Sequence, residues 1–188
     1  MITIGIDPSI NSTGICVNNN NKCTYFIISA KKTKKMQEFS NKYIQYIFYD
    51  KLDGNTKDLK YDIKEYNKSI NTKLICDAIF SIIKKYRNKD VTVYMEGVSY
   101  GSSNSAALVD LSGLNFAIRY MLLNNGIPFI IVSPSQNKKF ATGNGSADKN
   151  LMVYSWLILE KHLKDITSIK IDDLADAYFL SNYYKNSD

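Results

Sequence analysis

The sequence has little cysteine, a single histidine and no long uninterrupted apolar run. The cysteines Cys16, Cys23 and Cys76 are odd in number, and no pair has the close spacing of a zinc or redox motif, so we interpret them as structural thiols. No stretch reaches the roughly 18 apolar residues of a membrane span, and the N-terminus has no charged segment followed by an apolar run. These absences predict a cytoplasmic protein without a membrane segment, and we assign the lone histidine, His162, no role.

Acidic residues are outnumbered by basic ones. The chain has 24 Lys and Arg against 18 Asp and Glu, which gives a net charge of +6. A basic surface attracts polyanions, most commonly nucleic acid, although a composition rich in Lys, Asn, Ile and Tyr is also what an AT-rich genome produces. The length of 188 residues favours one domain, and 45% apolar with 22% charged residues is typical of a globular protein.

Apolar periodicity divides the chain into strands and helices. Alternation and turn signals predict strands at residues 2–6, 14–17, 22–29, 43–49, 91–96 and 127–132. Apolar residues three and four apart predict helices at residues 74–88, 105–124 and 147–164, with Trp156 as a packing residue, and a last helix begins near Asp172. Residues 31–64 are otherwise irregular and basic, and residues 138–149 have the Gly and Lys of a loop. This mixture predicts an α/β fold with a mixed sheet and helices on its faces.

Four carboxylates occupy positions suited to catalysis. Asp7 follows the first strand, Glu96 ends another, and Asp173 and Asp176 lie three apart, hence on one face of the last helix. Singly, each could be a turn cap, a solvated strand end or a helix N-terminal acid. Together they would repel one another unless a cation lay between them, and hard oxygen ligands select Mg²⁺ or Mn²⁺. Two such ions about 3.5–4 Å apart would suit phosphodiester hydrolysis.

Four motifs, in this order, resemble the RuvC family of Holliday-junction resolvases, within the RNase H-like superfamily. The resemblance covers nearly the whole chain. It implies one nuclease domain over residues 1–188, with a mixed five-stranded sheet, helices on both faces and an insertion within residues 31–64. The motifs are Ile4-Gly5-Ile6-Asp7-Pro8-Ser9 with Thr13-Gly14, Tyr94-Met95-Glu96-Gly97-Val98, Gly143-Asn144-Gly145-Ser146-Ala147-Asp148-Lys149, and Asp173-Leu174-Ala175-Asp176-Ala177.

The resemblance implies a role for each matched position. The implied ligands of two Mg²⁺ ions, with Mn²⁺ as a substitute, are the catalytic residues Asp7, Glu96, Asp173 and Asp176. Lys149 would be a further catalytic residue, a point charge beside the scissile phosphate. The family also has an aromatic residue shortly after its second acid, which Tyr100 matches here. The implied DNA-binding residues are Lys138, Lys139, Lys149, Tyr100, Ser103 and Asn104.

The helix at residues 105–124 is apolar on two sides. One stripe can cover the sheet, and the other can pack against a second subunit, since the resemblance implies a two-fold dimer for a junction with two symmetric cleavage points. A helix buried on both sides within one chain is the alternative. The two stripes are Ala107, Leu111, Leu114, Ile118 and Met121, and Val109, Phe116 and Leu123.

The expected function is a Mg²⁺-dependent endonuclease that binds four-way DNA junctions and resolves them by paired symmetric nicks through metal-activated water. The long segment at residues 31–64 suggests a divergent, phage-encoded relative acting in a host cytoplasm. A nuclease for flaps, other branched DNA or RNA–DNA hybrids is the alternative within this fold. An actin-like nucleotide-binding protein would need a second Gly-rich phosphate loop and a longer chain, and a silent DNA-binding module would lack a carboxylate.

Overall fold

A computed structural model describes residues 1–34, 36, 44–87, 89–98, 105–166 and 171–186. Three short 3-10 helices, Lys84–Tyr86, Lys161–Ile166 and Tyr183–Asn186, follow α-helices directly or after one residue. The described strands are β1 (Ile2–Asp7), β2 (Ser12–Asn19), β3 (Lys22–Ser29), β4 (Ile44–Phe48), β5 (Val91–Glu96) and β6 (Phe129–Val132). The α-helices are α1 (Tyr61–Ile83), α2 (Ser105–Asn124), α3 (Pro134–Thr142), α4 (Lys149–Leu159) and α5 (Asp172–Asn182).

The strands form one mixed sheet in the order β4-β3-β2-β1-β5-β6. Strands β1, β2 and β3 are an antiparallel meander, whose second turn is tight because Asn20 and Asn21 adopt positive φ angles of 52° and 65°. Strands β5 and β6 continue the sheet parallel to β1. The predicted α/β fold is confirmed, but the implied count of five strands is wrong. Strand β4 adds a sixth by pairing in parallel with the outer edge of β3.

Both faces of the sheet are covered by helices, as predicted. On one face α1 and α2 bury Ile79, Leu114 and Ile118 against the apolar side of β1. On the other face α5 packs on β1 and β2, and α4 packs on α5 and contacts β3 through Trp156. Trp156 of α4 is fully buried there, and its Nε1 donates a hydrogen bond to the Tyr25 hydroxyl at 3.2 Å. The prediction of Trp156 as a packing residue is therefore confirmed.

Two helix predictions need correction. Helix α1 begins at Tyr61 rather than near residue 74, because the polar first half of the helix hides the apolar period. Residues 134–142, which include Lys138 of the expected loop, form helix α3. Its start has a reciprocal capping box between Ser133 and Gln136 with Pro134 at the first position, and it ends at Gly143 in a left-handed conformation. This capping signal was present in the sequence.

The outer apolar stripe predicted for helix α2 is confirmed and the inner one in part, since Ala107 is exposed and the buried Leu122 was in neither stripe. Leu114 and Ile118 of the inner stripe are fully buried in the core, whereas Val109, Phe116 and Leu123 are exposed. By length and composition the helix could cross a membrane, contrary to the expectation that no stretch was long enough. We interpret it as a core helix with an exposed apolar outer face, because its inner stripe packs on the sheet.

Helix α5 lies directly against β1 and β2. A Cβ atom at Gly5 would overlap the carbonyl oxygen of Ala177, and a Cβ atom at Gly14 would lie 2.6 Å from the carbonyl carbon of Asp173. The Thr3 hydroxyl also donates a hydrogen bond to the Ser181 carbonyl at 2.5 Å. The absence of side chains at these two glycines therefore sets how closely the acidic helix approaches the end of β1.

Gly14→Ala should lower the free energy of unfolding by about 2 kcal/mol or more, because the added methyl group overlaps the backbone of Asp173. Thermal and urea unfolding measure this change. Ser81→Ala on α1 is the control, since the Ser81 side chain is exposed. The control should be neutral or slightly stabilising, and equal stability of the two variants would contradict the packing argument.

Candidate active site

Asp7 and Glu96 lie side by side at one edge of the sheet. Strands β1 and β5 are parallel, and Ile6 is paired with Met95, so the next residue of each strand is the acid. The strand end at Glu96 is fixed by Asn115 of α2, whose Nδ2 donates to the Glu96 carbonyl at 2.9 Å. Regular strand pairing thus brings two of the four predicted carboxylates together.

Helix α5 brings the other two carboxylates to the same edge. Asp173 lies in its first turn and Asp176 in the next, above the end of β1 where Gly14 admits the helix. The charges of Asp173 and Asp176 both act on Asp7, and Asp173 acts on Glu96 as well. The structure therefore assembles the four predicted acids into one group, which we call the carboxylate cluster: Asp7, Glu96, Asp173 and Asp176.

Burial and mutual repulsion disfavour ionisation in the carboxylate cluster. The pKa of Asp7 is raised well above its usual range, first by burial and then by Glu96, Asp176 and Asp173. Burial and the charges of Glu96 and Asp173 raise the pKa of Asp176 to about 7. Burial also raises the pKa of Glu96, which accepts a hydrogen bond from protonated Asp7. The cluster therefore holds protons at neutral pH when no cation balances its charge.

Two of the predicted basic residues border the carboxylate cluster. Lys138 on α3 and Lys149 at the start of α4 both favour the ionised form of Glu96. The Lys149 ammonium also donates to the carboxylate of Asp172, the first residue of α5. Lys139, on the same helix as Lys138, is exposed. The predicted DNA contacts Tyr100, Ser103 and Asn104 lie outside the described residues.

A buried amide beside the cluster was missed by the sequence analysis. Asn137 on α3 is fully buried, and its Nδ2 lies 3.3 Å from the Asp176 carbonyl and 3.5 Å from Asp176 Oδ1. Its own Oδ1 has no hydrogen-bond partner within the described part of the chain. Asn115 likewise has a buried Oδ1 without such a partner. The burial of Asn115 could have been predicted, because it is an amide within the apolar stretch Leu114-Asn115-Phe116. Nothing in the polar sequence around Asn137 predicted the burial of that residue.

The chemistry of the carboxylate cluster fits a divalent cation. No three His, Cys, Asp or Glu side chains of the described ranges already form a preformed metal site. All four donors of the cluster are nevertheless carboxylates, the ligands that Mg²⁺ and Mn²⁺ prefer, and the charges of the other three act on Asp7, which is buried with Asp176 at the end of β1. A cation would stabilise the ionised carboxylates against both the burial and the mutual repulsion that disfavour their charge. The residues present therefore fit a hard metal ion.

A family model described as crossover junction endodeoxyribonuclease RuvC matches residues 55–181. This range contains Glu96, Asp173 and Asp176, together with Lys138 and Lys149. Asp7 lies before it and is placed in the cluster by the fold alone. A comparison with curated protein sequences gave no match.

Three solved structures share the fold over nearly the whole chain. The Thermus thermophilus RuvC structure is 17% identical and has a TM-score of 0.54, with 100% of this chain and 96% of that chain covered. T. thermophilus RuvC in complex with a Holliday junction substrate is 14% identical, with a TM-score of 0.57 and the same coverage. The yeast mitochondrial Holliday junction resolvase Ydc2 is 16% identical, with a TM-score of 0.52 and 98% and 82% coverage.

The raised pKa of Asp176 makes stability depend on pH. Its pKa rises from an ordinary 3.8 to about 7 on folding, so between these values the unfolded chain releases a proton that the folded chain keeps. The free energy of unfolding in metal-free buffer should therefore fall as pH rises through this window. Asp176→Asn removes this contribution, and the variant should gain on the order of 2 kcal/mol relative to wild type between pH 4 and pH 8.

Thermal unfolding from pH 4 to pH 8 in the presence of a chelator measures this difference. Asp58→Asn, at an exposed position outside the cluster, is the matched control and should follow the wild-type curve. Parallel curves for wild type and Asp176→Asn would contradict the electrostatic account of the cluster.

Proposed function

Since the chain belongs to the RuvC family of crossover junction endodeoxyribonucleases, we propose that it resolves four-way DNA junctions by hydrolysis at the carboxylate cluster. RuvC-like nucleases depend on divalent metal ions. The observation that carries the assignment of the site is the convergence of Asp7, Glu96, Asp173 and Asp176 at one sheet edge, with Lys138 and Lys149 beside them. An actin-like protein finds no support in either the family match or the structural neighbours.

In the proposed hydrolysis the carboxylate cluster would bind the metal ions, and Asn137 would position one of its members. Bound divalent ions, in our proposal two Mg²⁺ with Mn²⁺ as a substitute, would supply an activated water and neutralise charge at the leaving oxygen. The ligands would be Asp7 and Glu96 from the sheet and Asp173 and Asp176 from α5. Asn137 would hold Asp176 in place through its side-chain amide. Because the nucleophile is water, no protein side chain needs to form a covalent intermediate.

Basic residues would bind the DNA backbone next to the cluster. Lys149 would lie beside the scissile phosphate as a point charge, and Lys138 would bind the same strand. Exposed Lys139, with Tyr100, Ser103 and Asn104, would extend this surface. The RuvC complex with a Holliday junction substrate supports branched DNA as the ligand. Binding through phosphates predicts an affinity that falls steeply with salt.

The outer face of α2 would form a homodimer interface. Four large apolar side chains lie on this face within about four turns of helix: Val109 (68% exposed), Phe116 (60%), Tyr120 (71%) and Leu123 (67%). Such a contiguous exposed patch is unusual for a surface in water and is typical of protein interfaces. A two-fold dimer would present two carboxylate clusters to a four-way junction, which has two symmetric cleavage points.

Removing one carboxylate should separate cleavage from binding. Asp7→Asn or Glu96→Gln should lower the cleavage rate of a four-way junction at least about a thousandfold, because metal affinity is lost. Junction binding should be equal to wild type or tighter, since the basic surface is intact and a negative charge has been removed. Cleavage assays in Mg²⁺ and gel-shift titrations in chelator measure the two quantities.

Asp58→Asn is the control for this test and should cut and bind as wild type does. Lys149→Ala should weaken cleavage more than binding. Loss of binding in Asp7→Asn equal to the loss of cleavage would contradict the division between the cluster and the basic surface.

Phe116→Asp should convert the dimer to a monomer, because it places a charge in the centre of the apolar α2 face. Light scattering should give about twice the chain mass of 21.4 kDa for wild type and the chain mass itself for the variant. Tyr61→Asp, at an exposed position on α1, is the control and should leave the dimer intact. A monomeric wild type would contradict the proposed interface.

A further inference from the structure

Asp172 is an acidic residue beside the site that none of the four motifs includes. It is the first residue of α5, directly before Asp173, and its carboxylate accepts a hydrogen bond from the Lys149 ammonium. The Asp172 side chain is 19% exposed and the Lys149 side chain 73% exposed. Asp172 is therefore the more confined partner of the ion pair, and the exposed Lys149 side chain extends through solvent to contact it.

The backbone of Lys149 is held in place, whereas its side chain would be free without a partner. Lys149 is the first residue of α4, and the N-cap Asp148 accepts a hydrogen bond from the Leu151 N–H at 2.8 Å. An exposed lysine has about 2 kcal/mol of rotamer entropy and samples many directions. The contact with Asp172 selects the direction that points toward the start of α5.

This ion pair differs from an ordinary surface pair in its surroundings. Lys73 and Asp77 on α1 form an ordinary pair, 2.6 Å long with both side chains more than half exposed. Lys149 instead lies in the field of Asp173 and Asp7 as well as Asp172. Asp172 therefore holds a flexible cation within electrostatic reach of the carboxylate cluster.

We propose that Asp172 is a positioning residue that holds the Lys149 ammonium at the border of the carboxylate cluster, where the scissile phosphate would meet it. The proposal rests on the function proposed above. Asp172 touches no reacting atom and acts through Lys149, whose three N–H donors can serve the carboxylate and a phosphate oxygen together. Fixing the ammonium before DNA binds reduces the entropy lost on reaching the transition state.

Kinetics of Asp172→Asn test the proposal, because asparagine keeps the size of the side chain and removes its charge. The kcat on a four-way junction should fall about tenfold, which corresponds to about 1.4 kcal/mol. The KM for DNA should be unchanged or lower, since a negative charge leaves the DNA-binding surface. Asp172→Glu should recover part of the rate. Asp77→Asn breaks the ordinary pair on α1 and should leave kcat unchanged.

A double variant separates action through Lys149 from a structural role. Asp172→Asn in a Lys149→Ala background should cut at the rate of Lys149→Ala alone, because a positioning residue has no effect once its target is absent. A further tenfold loss in the double variant would overturn the proposal. Full kcat in the single variant Asp172→Asn would overturn it as well.

A measurement without cleavage distinguishes failure of this proposal from failure of the proposed function. The NMR order parameter of the Lys149 Nζ group in the free protein should fall in Asp172→Asn and stay at the wild-type value in Asp77→Asn. An unchanged order parameter would overturn the positioning role even in a protein that cuts junctions. A wild type that orders Lys149 but cuts no junction would overturn the proposed function, and the phosphate role with it.

Discussion

The close packing of α5 on β1 and β2 is the constraint on which the site depends. Gly5 and Gly14 leave no side chain between the sheet and the helix backbone, and Thr3 bonds the far end of the helix at Ser181. This approach brings Asp173 and Asp176 to the end of β1 beside Asp7. A helix one side chain further away would leave the carboxylates as separate, solvated groups with ordinary pKa values.

The close packing of α5 on the sheet makes ionisation of the neighbouring carboxyl groups unfavourable, and this determines which ligand the site can bind. Burial at one sheet edge raises the pKa values of Asp7, Glu96 and Asp176, and repulsion between neighbouring carboxylates raises those of Asp7 and Asp176 further. Lys138 and Lys149 offset only part of this repulsion. A divalent cation would offset the rest, and the arrangement that destabilises the metal-free fold is the one that would bind the metal. Stability and activity are therefore linked through one cluster of charges.

The parts of the fold that follow from local pattern were predictable, and those that follow from packing were not. Strand β5 and helix α2 were predicted at their observed bounds because their apolar residues repeat regularly. Helix α1 begins earlier than predicted because its first half is polar. The second half of α3, residues 138–142, was predicted as part of a loop, although the Ser133–Gln136 capping box at the start of this helix was visible. The four acids were predicted from their positions at strand ends and on the last helix, together with the resemblance of the surrounding motifs to the RuvC family. The Asn137 amide and the Asp172 contact depend on tertiary packing.

The most direct test of the account is incubation of the purified protein with a labelled four-way junction, a flap and a linear duplex, in Mg²⁺ or in EDTA. The account predicts paired nicks at symmetric positions in the junction with Mg²⁺ and none with EDTA. Cleavage of the flap alone would indicate that the carboxylate cluster acts on a branched substrate other than the four-way junction. Cutting of no substrate, or cutting that persists in EDTA, would contradict a metal-dependent resolvase.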